Sequence, residues 1–358
     1  MRLLPAALLA ALLLAGCANA APSPRPASTT ASSATASSAT ASSATAASAP
    51  AASAPFYLGD YLEGGNTATP AVEVINGFTG QVEATIAAPH GAGSLSWARG
   101  RPVWGPCGAA PDDRTFLLCG ASQYWELRLG DDGKPQSMTG PADIPVAARN
   151  TGNGGPEFAV SADRRLAADI TGAGGIMVLS LVTGATRSWT IPSADGYPTG
   201  VSWAGDRYVA FGFVSQSADS DAGGVRVLDT SSTATAALAA SRLVISNEGK
   251  LAGGITGVFN PVVTPDGSKV VAAAWTGFNV AELAEFSAQT GRLLAVLMPA
   301  AHMPGSGNPC QVLWTDLSGA HLIAYCGTGG VVNGTRFTPV NLHVPNTSGI
   351  DFNTAVVW

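Results

Sequence analysis

Charged residues are scarce in this chain, and no basic run occurs. Of the 358 residues 12% are charged, with 18 Lys and Arg against 24 Asp and Glu and a formal net charge of −6. Nucleic-acid-binding domains need a concentrated basic surface, so we expect no nucleic-acid partner. The 43 glycines and 24 prolines disfavour long helices. The composition therefore favours a fold built from strands and turns.

The common signatures of catalysis are missing as well. The histidines are scattered singly along the chain, at His90, His302, His321 and His343. They form no His-x-x-x-His pair for zinc, and the chain has no Gly-x-Ser-x-Gly motif for a nucleophilic serine. We therefore predict no catalytic residue, no metal ligand and no cofactor, and we expect the histidines to be loop or surface residues.

Three segments resemble ligand loops without completing one. Asp219–Gly223 alternates oxygen-bearing residues as in part of a calcium loop, but the downstream Glu is absent. Neither Gly152–Gly155 nor Gly172–Gly175 is followed by a helical pattern or by the Lys-Ser or Lys-Thr pair of a phosphate site. We predict that all three are ordinary loops.

The chain begins like a secretory leader. Arg2 precedes an apolar stretch, Leu3 to Ala15, that is shorter than the ~20 residues a membrane-spanning helix needs. Leu14-Ala15-Gly16-Cys17 resembles the lipobox of bacterial lipoproteins. The resemblance implies a signal peptide over residues 1–16 and a lipid on Cys17. The protein would then be exported and lipid-anchored to the outer face of the bacterial cytoplasmic membrane.

Residues 17–55 are predicted to be a disordered tether that follows the lipidated cysteine. The segment is almost entirely Ala, Ser, Thr and Pro, with Arg25 as its only charge, and Thr-Ala-Ser-Ser-Ala recurs from Thr30, Thr35 and Thr40. Such a composition buries too little apolar surface to offset the entropy lost on ordering. The tether would connect the membrane to a folded body formed by residues 56–358.

A turn recurs through residues 56–358 at a nearly fixed spacing. Its copies contain Thr-Gly or a degenerate equivalent: Thr79-Gly80, Asp132-Gly133, Thr183-Gly184, Ser232-Thr233, Thr290-Gly291 and Asn333-Gly334. Successive copies are 43 to 58 residues apart. A four-stranded propeller blade takes about 40 to 50 residues, so this spacing predicts a β-propeller.

A second turn type, built on Asp, Gly or Pro, precedes an apolar strand in five places: Pro111–Arg114, Ser161–Arg164, Ala204–Arg207, Thr264–Gly267 and Asp316–Gly319. The first unit lacks this turn because the chain enters at Phe56 without an opening strand, and Thr354–Trp358 is an apolar strand left over at the other end. Pairing of the two ends would protect both edges. We therefore predict an all-β, single β-propeller, most simply of six four-stranded blades and alternatively of seven, closed by pairing of the C-terminal strand with the N-terminal blade.

The repeat resembles a known family. Val263–Val271 is similar to the strand-turn-strand motif of WD40-like and TolB-like propeller repeats, and the Thr-Gly turns resemble those of YncE-type propellers. The whole body is similar to uncharacterised actinobacterial WD40-like lipoproteins. The Trp-Asp dipeptide of eukaryotic WD40 blades is absent, and Trp314-Thr315-Asp316 is the nearest approach. The resemblance thus implies the fold and does not extend to a eukaryotic interaction role.

Four cysteines remain after Cys17, and they allow three pairings. Cys107 and Cys119 are equidistant from Asp113, and Cys310 and Cys326 are equidistant from Ser318. Equidistant residues of an antiparallel hairpin face each other within disulfide reach. An exported protein lies in an oxidising compartment, so we predict these two disulfides, with buried free thiols as the alternative.

The tryptophans point to packing or to a binding surface. Seven of them lie near predicted strands: Trp97, Trp104, Trp125, Trp189, Trp203, Trp275 and Trp314. We expect them to pack between blades, and a carbohydrate or peptide platform is the alternative.

Two functions of different classes fit these features. The first is a monomeric cell-surface lipoprotein that presents a non-catalytic module to an envelope protein, a peptide or a glycan. The alternative is a cation-dependent, lactonase-like propeller hydrolase that uses channel carboxylates. The candidate acids for that chemistry are Glu157, Asp169, Asp206 and Glu282. An accessory folding factor of the envelope is a third possibility.

Overall fold

The computed structural model describes residues 56–63, 69–90, 92, 104–120, 122–145, 158–216, 223–247, 251–277, 280–302, 311–315, 321–325, 329–333, 336–339 and 356–357. Cys17 and the predicted tether lie outside this part. Within it, no helix has the length and apolar character needed to cross a membrane.

The described chain is nearly all β. Its first sheet has the order β24-β1-β2-β3, with β1 (Phe56–Glu63), β2 (Thr69–Asn76), β3 (Val82–Ala87) and β24 (Val356–Val357). An eight-stranded sheet follows, and it contains two antiparallel meanders. The second meander of the chain is β4 (Gly105–Ala109), β5 (Thr115–Cys119), β6 (Gln123–Leu129) and β7 (Pro135–Asp143). The third is β8 (Phe158–Val160), β9 (Leu166–Ile170), β10 (Ile176–Ser180) and β11 (Thr186–Trp189).

Three further sheets each contain one antiparallel meander in sequence order. The fourth meander is β12 (Gly196–Ala204), β13 (Tyr208–Ser215), β14 (Gly224–Asp229) and β15 (Ser241–Ser246). The fifth is β16 (Gly257–Val263), β17 (Lys269–Gly277), β18 (Val280–Ser287) and β19 (Leu293–His302). The sixth is β20 (Gln311–Thr315), β21 (His321–Tyr325), β22 (Gly329–Asn333) and β23 (Arg336–Pro339). A series of up-and-down meanders is consistent with a β-propeller.

Apolar clusters fill the spaces between successive meanders. Each of the five clusters in the described residues draws its members from two meanders that are neighbours in sequence. The predicted core tryptophans Trp104, Trp125, Trp189 and Trp203 are all buried in these clusters, whereas Trp275 is half-buried. The meanders therefore pack face to face, as the blades of a propeller do.

Asp side chains organise the turns between the first and second strands of a meander. Asp112 Oδ1 accepts hydrogen bonds from the backbone N–H of Arg114 and Thr115, at 3.1 and 2.8 Å. Asp266 Oδ1 accepts from the Thr264 hydroxyl at 2.6 Å and from the Ser268 backbone N–H at 3.0 Å. Hydrogen bonds from Thr264 and Ser268 lower the pKa of Asp266 below its usual value. The second turn type in the sequence is thus a side-chain-capped turn.

Replacement of Asp266 by alanine is expected to destabilise the protein by about 1 kcal/mol, because the turn loses its side-chain acceptors. The contribution of Asp266 is present above the pKa of an unfolded Asp and is lost as the pH falls through its lowered folded pKa. Urea denaturation should therefore show a larger difference in stability between Asp266→Ala and the parent protein at pH 7 than at pH 3. Asp266→Asn keeps one acceptor oxygen and should therefore lose less stability than Asp266→Ala. An equal loss of stability in both variants would contradict the capping role.

One predicted turn is wrong in detail. Ser232-Thr233 does not form a two-residue turn, because residues 230–240 make a longer connection that ends in one helical turn, Ala237–Ala240. This connection crosses to the third meander, where the Thr190 N–H donates to Thr235 O and the Ala237 N–H donates to Thr190 O, both at 2.9 Å. These backbone hydrogen bonds stabilise the longer connection, and a tight turn would not make them.

The second and third meanders share one sheet. Strands β4 and β8 pair in parallel, with Gly108 opposite Phe158 and Ala109 opposite Ala159. A Cβ atom at Gly108 would lie 2.7 Å from the carbonyl oxygen of Phe158. The absence of a side chain at Gly108 therefore allows the two strands to approach closely enough to merge their sheets.

Cys107 and Cys119 form a disulfide with their Cα atoms 5.7 Å apart. The two residues do not face each other as direct cross-strand partners, because a bulge between Pro106 and Gly108 shifts the register and places Gly105 opposite Cys119. The bridge thus links the bulge of β4 to the end of β5. Cys310 and Cys326 lie outside the described residues.

Candidate functional site

The first strands of the second to sixth meanders form a continuous series. We call β4, β8, β12, β16 and β20 the inner strands, and each contacts the next one in this order. Their sequences contain no Asp, Glu, Lys, Arg or His. Any ligand that contacts these strands would therefore meet uncharged polar groups, aromatic rings and backbone.

Four of the five inner strands carry a β-bulge at a common level. The register shifts lie between Pro106 and Gly108, Thr199 and Val201, Phe259 and Val262, and Val312 and Trp314. The bulge residues Cys107, Gly200 and Asn260 each stand five positions before a turn residue, which is Asp112, Gly205 and Pro265 respectively. Bulges redirect side chains, and they are frequent beside functional sites.

Asn260 has an unusual backbone conformation for a strand residue. Its φ is +46°, and the other non-glycine residues with positive φ in the described chain, Asp113 and Arg164, both lie in turns. A Cβ atom at Gly200 would lie 3.2 Å from Asn260 Oδ1, so the bare backbone of Gly200 leaves room for the Asn260 side chain. Asn260 is half-buried, and its amide makes no hydrogen bond to any described residue. This bulge therefore presents an unengaged amide between β12 and β16.

Aromatic side chains lie near the two adjacent bulges. Tyr197 is 46% exposed on β12, two residues before Thr199 and therefore on the same side of the strand. On β16 the half-buried Phe259 packs edge-to-face on Trp275, with ring centroids 6.0 Å apart and an interplanar angle of 85°. The hydroxyl oxygen of Thr199 is buried without a hydrogen-bond partner among the described residues. Tyr197, Thr199, Phe259, Asn260 and Trp275 define what we call the bulge site.

The acids predicted from sequence do not come together. Asp169 is 2% exposed on β9, and its cross-strand partner Met177 packs between the second and third meanders. Asp206 is exposed in a turn, where its Oδ1 accepts a hydrogen bond from the Asp163 backbone N–H at 3.0 Å. Glu157 lies outside the described residues. Within the described part of the chain, no three His, Cys, Asp or Glu side chains are grouped to hold a metal ion.

Glu282 is buried in apolar surroundings. Its side chain shares a cross-strand row on β18 with Ala274, which in turn faces Val258 on β16. Glu282 is 7% exposed, and its Oε1 has no hydrogen-bond partner among the described residues. Burial raises the pKa of the Glu282 carboxyl above its usual value. The row lies on the face of the fifth meander that packs against the fourth meander. Asp169 belongs to the third meander, so the two acids are on meanders that are not neighbours in sequence.

The other candidates lie in strands or turns where they are described. His90 is exposed after β3, His302 ends β19 and His321 begins β21. In the connection Gly172–Gly175, the N–H groups of Gly174 and Gly175 donate to the backbone oxygen and hydroxyl of Thr171, as in an ordinary turn. His343, Gly152–Gly155 and residues 219–222 lie outside the described residues.

Two arginines connect neighbouring meanders. Arg164 Nη1 lies 3.5 Å from Asp112 Oδ2, which links the third meander to the second. Arg187 donates to the backbone oxygens of Thr230 and Ser232 in the fourth meander. Arg164 and Arg187 are therefore engaged in contacts between meanders.

The bulge site was not predicted from sequence as a unit. Tyr197 and Asn260 were not singled out, because neither belongs to a motif that signals catalysis or metal binding. The available signal was Asn260-Pro261 inside an apolar strand, since a proline in a strand marks a bulge or an edge.

Comparisons with known proteins show no family for this chain. No protein-family profile matches the chain, and no curated protein matches its sequence. TolB from Acinetobacter baumannii is 13% identical with a TM-score of 0.48, over 79% of this chain and 62% of TolB. A putative TolB from Agrobacterium tumefaciens is 15% identical with a TM-score of 0.42, over 67% of this chain and 83% of that protein.

An oligogalacturonate lyase solved in complex with manganese is a further structural neighbour. It is 13% identical with a TM-score of 0.44, over 84% of this chain and 88% of the lyase. The manganese and the substrate belong to that enzyme. The chain is thus similar to TolB-like and lyase structures. It spans only 62% of the length of the Acinetobacter TolB. Its assignment as a β-propeller rests on its own sheet order.

Proposed function

We propose that residues 56–358 form a closed, six-bladed β-propeller. Strand β24 pairs antiparallel with β1, with Leu58 opposite Val357 and Gly59 opposite Val356, and so supplies the first strand that the first meander lacks. The same strand contacts β20 on one side and β4 on the other. The inner strands and β24 then form a complete cycle around a channel. Closure by β24 pairs the edge of β1 that would otherwise be free.

The leader motif supports a proposal about location. Cleavage before Cys17 and lipidation of Cys17 would anchor the protein to the outer face of the bacterial cytoplasmic membrane. Residues 17–55 would serve as a tether, and the monomeric propeller would act at a distance from the membrane.

The function that the geometry supports best is a non-catalytic binding module for a protein, peptide or glycan of the envelope. The observation that carries it is the bulge site: uncharged inner strands that present an exposed Tyr197 and the unengaged amide of Asn260. Binding sites of this kind are mostly apolar and aromatic with a few placed polar groups. The alternative, a hydrolase with channel carboxylates, needs acids that converge, and Asp169 and Glu282 lie on separate meanders.

Site-specific photo-crosslinking of the full chain tests this proposal. A benzophenone amino acid placed at Tyr197, in cells of the native host, should capture one recurrent envelope component. The matched control is the same probe at Tyr208, an exposed tyrosine at the turn end of the next strand, with 39% exposure against 46% for Tyr197. Equal capture at both positions, or none at either, would refute a binding site on the inner strands.

A further inference from the structure

We propose that the bulge site binds a neutral glycan, with Asn260 and Tyr197 as contact residues. This inference rests on the proposed binding function and names its ligand class. It depends on three properties of the site, which are its lack of charge, the free amide of Asn260, and the exposed ring of Tyr197.

The lack of charge selects against ionic ligands. None of the inner strands contributes a cationic or anionic side chain. A charged ligand would lose hydration against these strands and gain no opposite charge in return. Polyuronates and phosphorylated ligands, whose recognition depends on Arg or Lys, therefore fit poorly. A ligand with many neutral polar groups fits well.

The conformation of Asn260 points to a role for its side chain. A φ of +46° is adopted by glycine without steric cost, so the backbone alone does not require an asparagine at this bulge. The side chain contributes no hydrogen bond to the described protein, yet its amide offers two donors and one acceptor oxygen. Sugar hydroxyls are both donors and acceptors, and they match such a group. Strained residues of this kind cluster at ligand-binding positions.

Tyr197 supplies the apolar part of the site. Tyr197 is 46% exposed on β12 and lies three residues before Gly200, whose backbone approaches Asn260 on β16. An exposed aromatic ring with a polar tip suits a ligand that has one apolar face and a hydroxylated edge, as a pyranose ring has.

An extended peptide fits less well. Peptides that add to a sheet need an uninterrupted strand edge to pair with their backbone. The register of β12 is broken at Gly200 and that of β16 at Asn260-Pro261, and Pro261 has no N–H to donate. The two adjacent inner strands therefore offer side chains and isolated carbonyls, with no regular ladder for a peptide.

The test measures binding of defined probes to the full chain by titration calorimetry. The probes are maltohexaose, cellohexaose, xylohexaose and N-acetylchitohexaose as neutral glycans, hexagalacturonate as the charged counterpart, and a capped Gly-Ser hexapeptide. We expect at least one neutral glycan to bind and the hexagalacturonate and peptide not to bind. Asn260→Gly, which keeps the backbone conformation, and Tyr197→Ala should each weaken that binding about tenfold. Tyr208→Ala should leave it unchanged.

The outcomes distinguish a wrong ligand class from a wrong binding function. Absence of binding by every neutral glycan at 10 mM, or binding that Asn260→Gly and Tyr197→Ala both leave unaltered, overturns the glycan assignment. If the crosslinker at Tyr197 still captures a protein, the binding function stands and only the ligand class is wrong. If neither experiment detects a ligand, the binding function itself falls. Near-UV circular dichroism of each variant shows that a loss of affinity is not a loss of fold.

Discussion

Replacement of Gly108 by alanine is expected to lower the free energy of unfolding by about 2 to 3 kcal/mol. A Cβ atom at this position would lie 2.7 Å from the carbonyl oxygen of Phe158 and 3.0 Å from its Cβ. Both atoms belong to strand β8, which is held by its own pairing with β9 and by the cluster between the second and third meanders. The clash therefore cannot be relieved by rotation of a side chain, and β4 and β8 must separate.

Gly59→Ala is the matched control for this substitution. Gly59 is also a strand glycine, on β1, but a Cβ atom there would meet only the terminal methyl of Ile75 at 3.4 Å, an ordinary contact. Urea denaturation should show a clearly lower free energy of unfolding for Gly108→Ala. For Gly59→Ala the free energy of unfolding should change by no more than about 0.5 kcal/mol. Hydrogen exchange should quicken at Ala109 and Ala159, which face each other across the β4–β8 pair. Equal stabilities would show that the merged sheet is not sensitive to strand separation.

The meander order was predictable from the sequence because the turns carry their own chemistry. Asp266 and its counterparts cap the first turn of a unit, and glycines such as Gly80 and Gly184 adopt positive φ at the later turn, at +70° and +72°. The local backbone geometry of each turn requires these residue types, so their spacing along the sequence directly indicates the repeat length. The partial exception, residues 230–240, has its conformation fixed by hydrogen bonds to Thr190 on another meander, which no local pattern encodes.

The merging of two sheets and the bulge site depend on contacts between distant segments. Gly108 resembles any other strand glycine in the sequence, and only the position of Phe158 gives it a role. The Asn260 side chain fits because Gly200, sixty positions earlier in the chain, has no side chain. Sequence motifs identify acids, histidines and cysteines because their chemistry is specific, whereas a neutral site made of an amide and a ring has no such signature. Such a site therefore cannot be recognised from sequence motifs.

The pH dependence of stability is expected to reveal Glu282. Its carboxyl is buried beside Ala274 and Val258, and no charged side chain among the described residues compensates it on that face. Because the folded pKa of Glu282 is raised above the unfolded value, the folded protein holds this proton more tightly than the unfolded chain does. The resulting stabilisation is complete below the unfolded carboxyl pKa and is lost as the pH rises through the raised folded pKa.

Glu282→Gln should therefore match the parent protein in urea denaturation at pH 4 and exceed it by about 2 kcal/mol at pH 8, since glutamine has the same shape and does not ionise. Glu285→Gln is the matched control on the same strand. Glu285 lies 3.2 Å from Lys269 Nζ in an ion pair, so its replacement removes an attractive contact and should not stabilise the protein at pH 8. A Glu282→Gln variant whose stability follows that of the parent at every pH would show that the carboxyl is hydrated in the folded state, and the apolar packing between the fourth and fifth meanders would then have to open at that point.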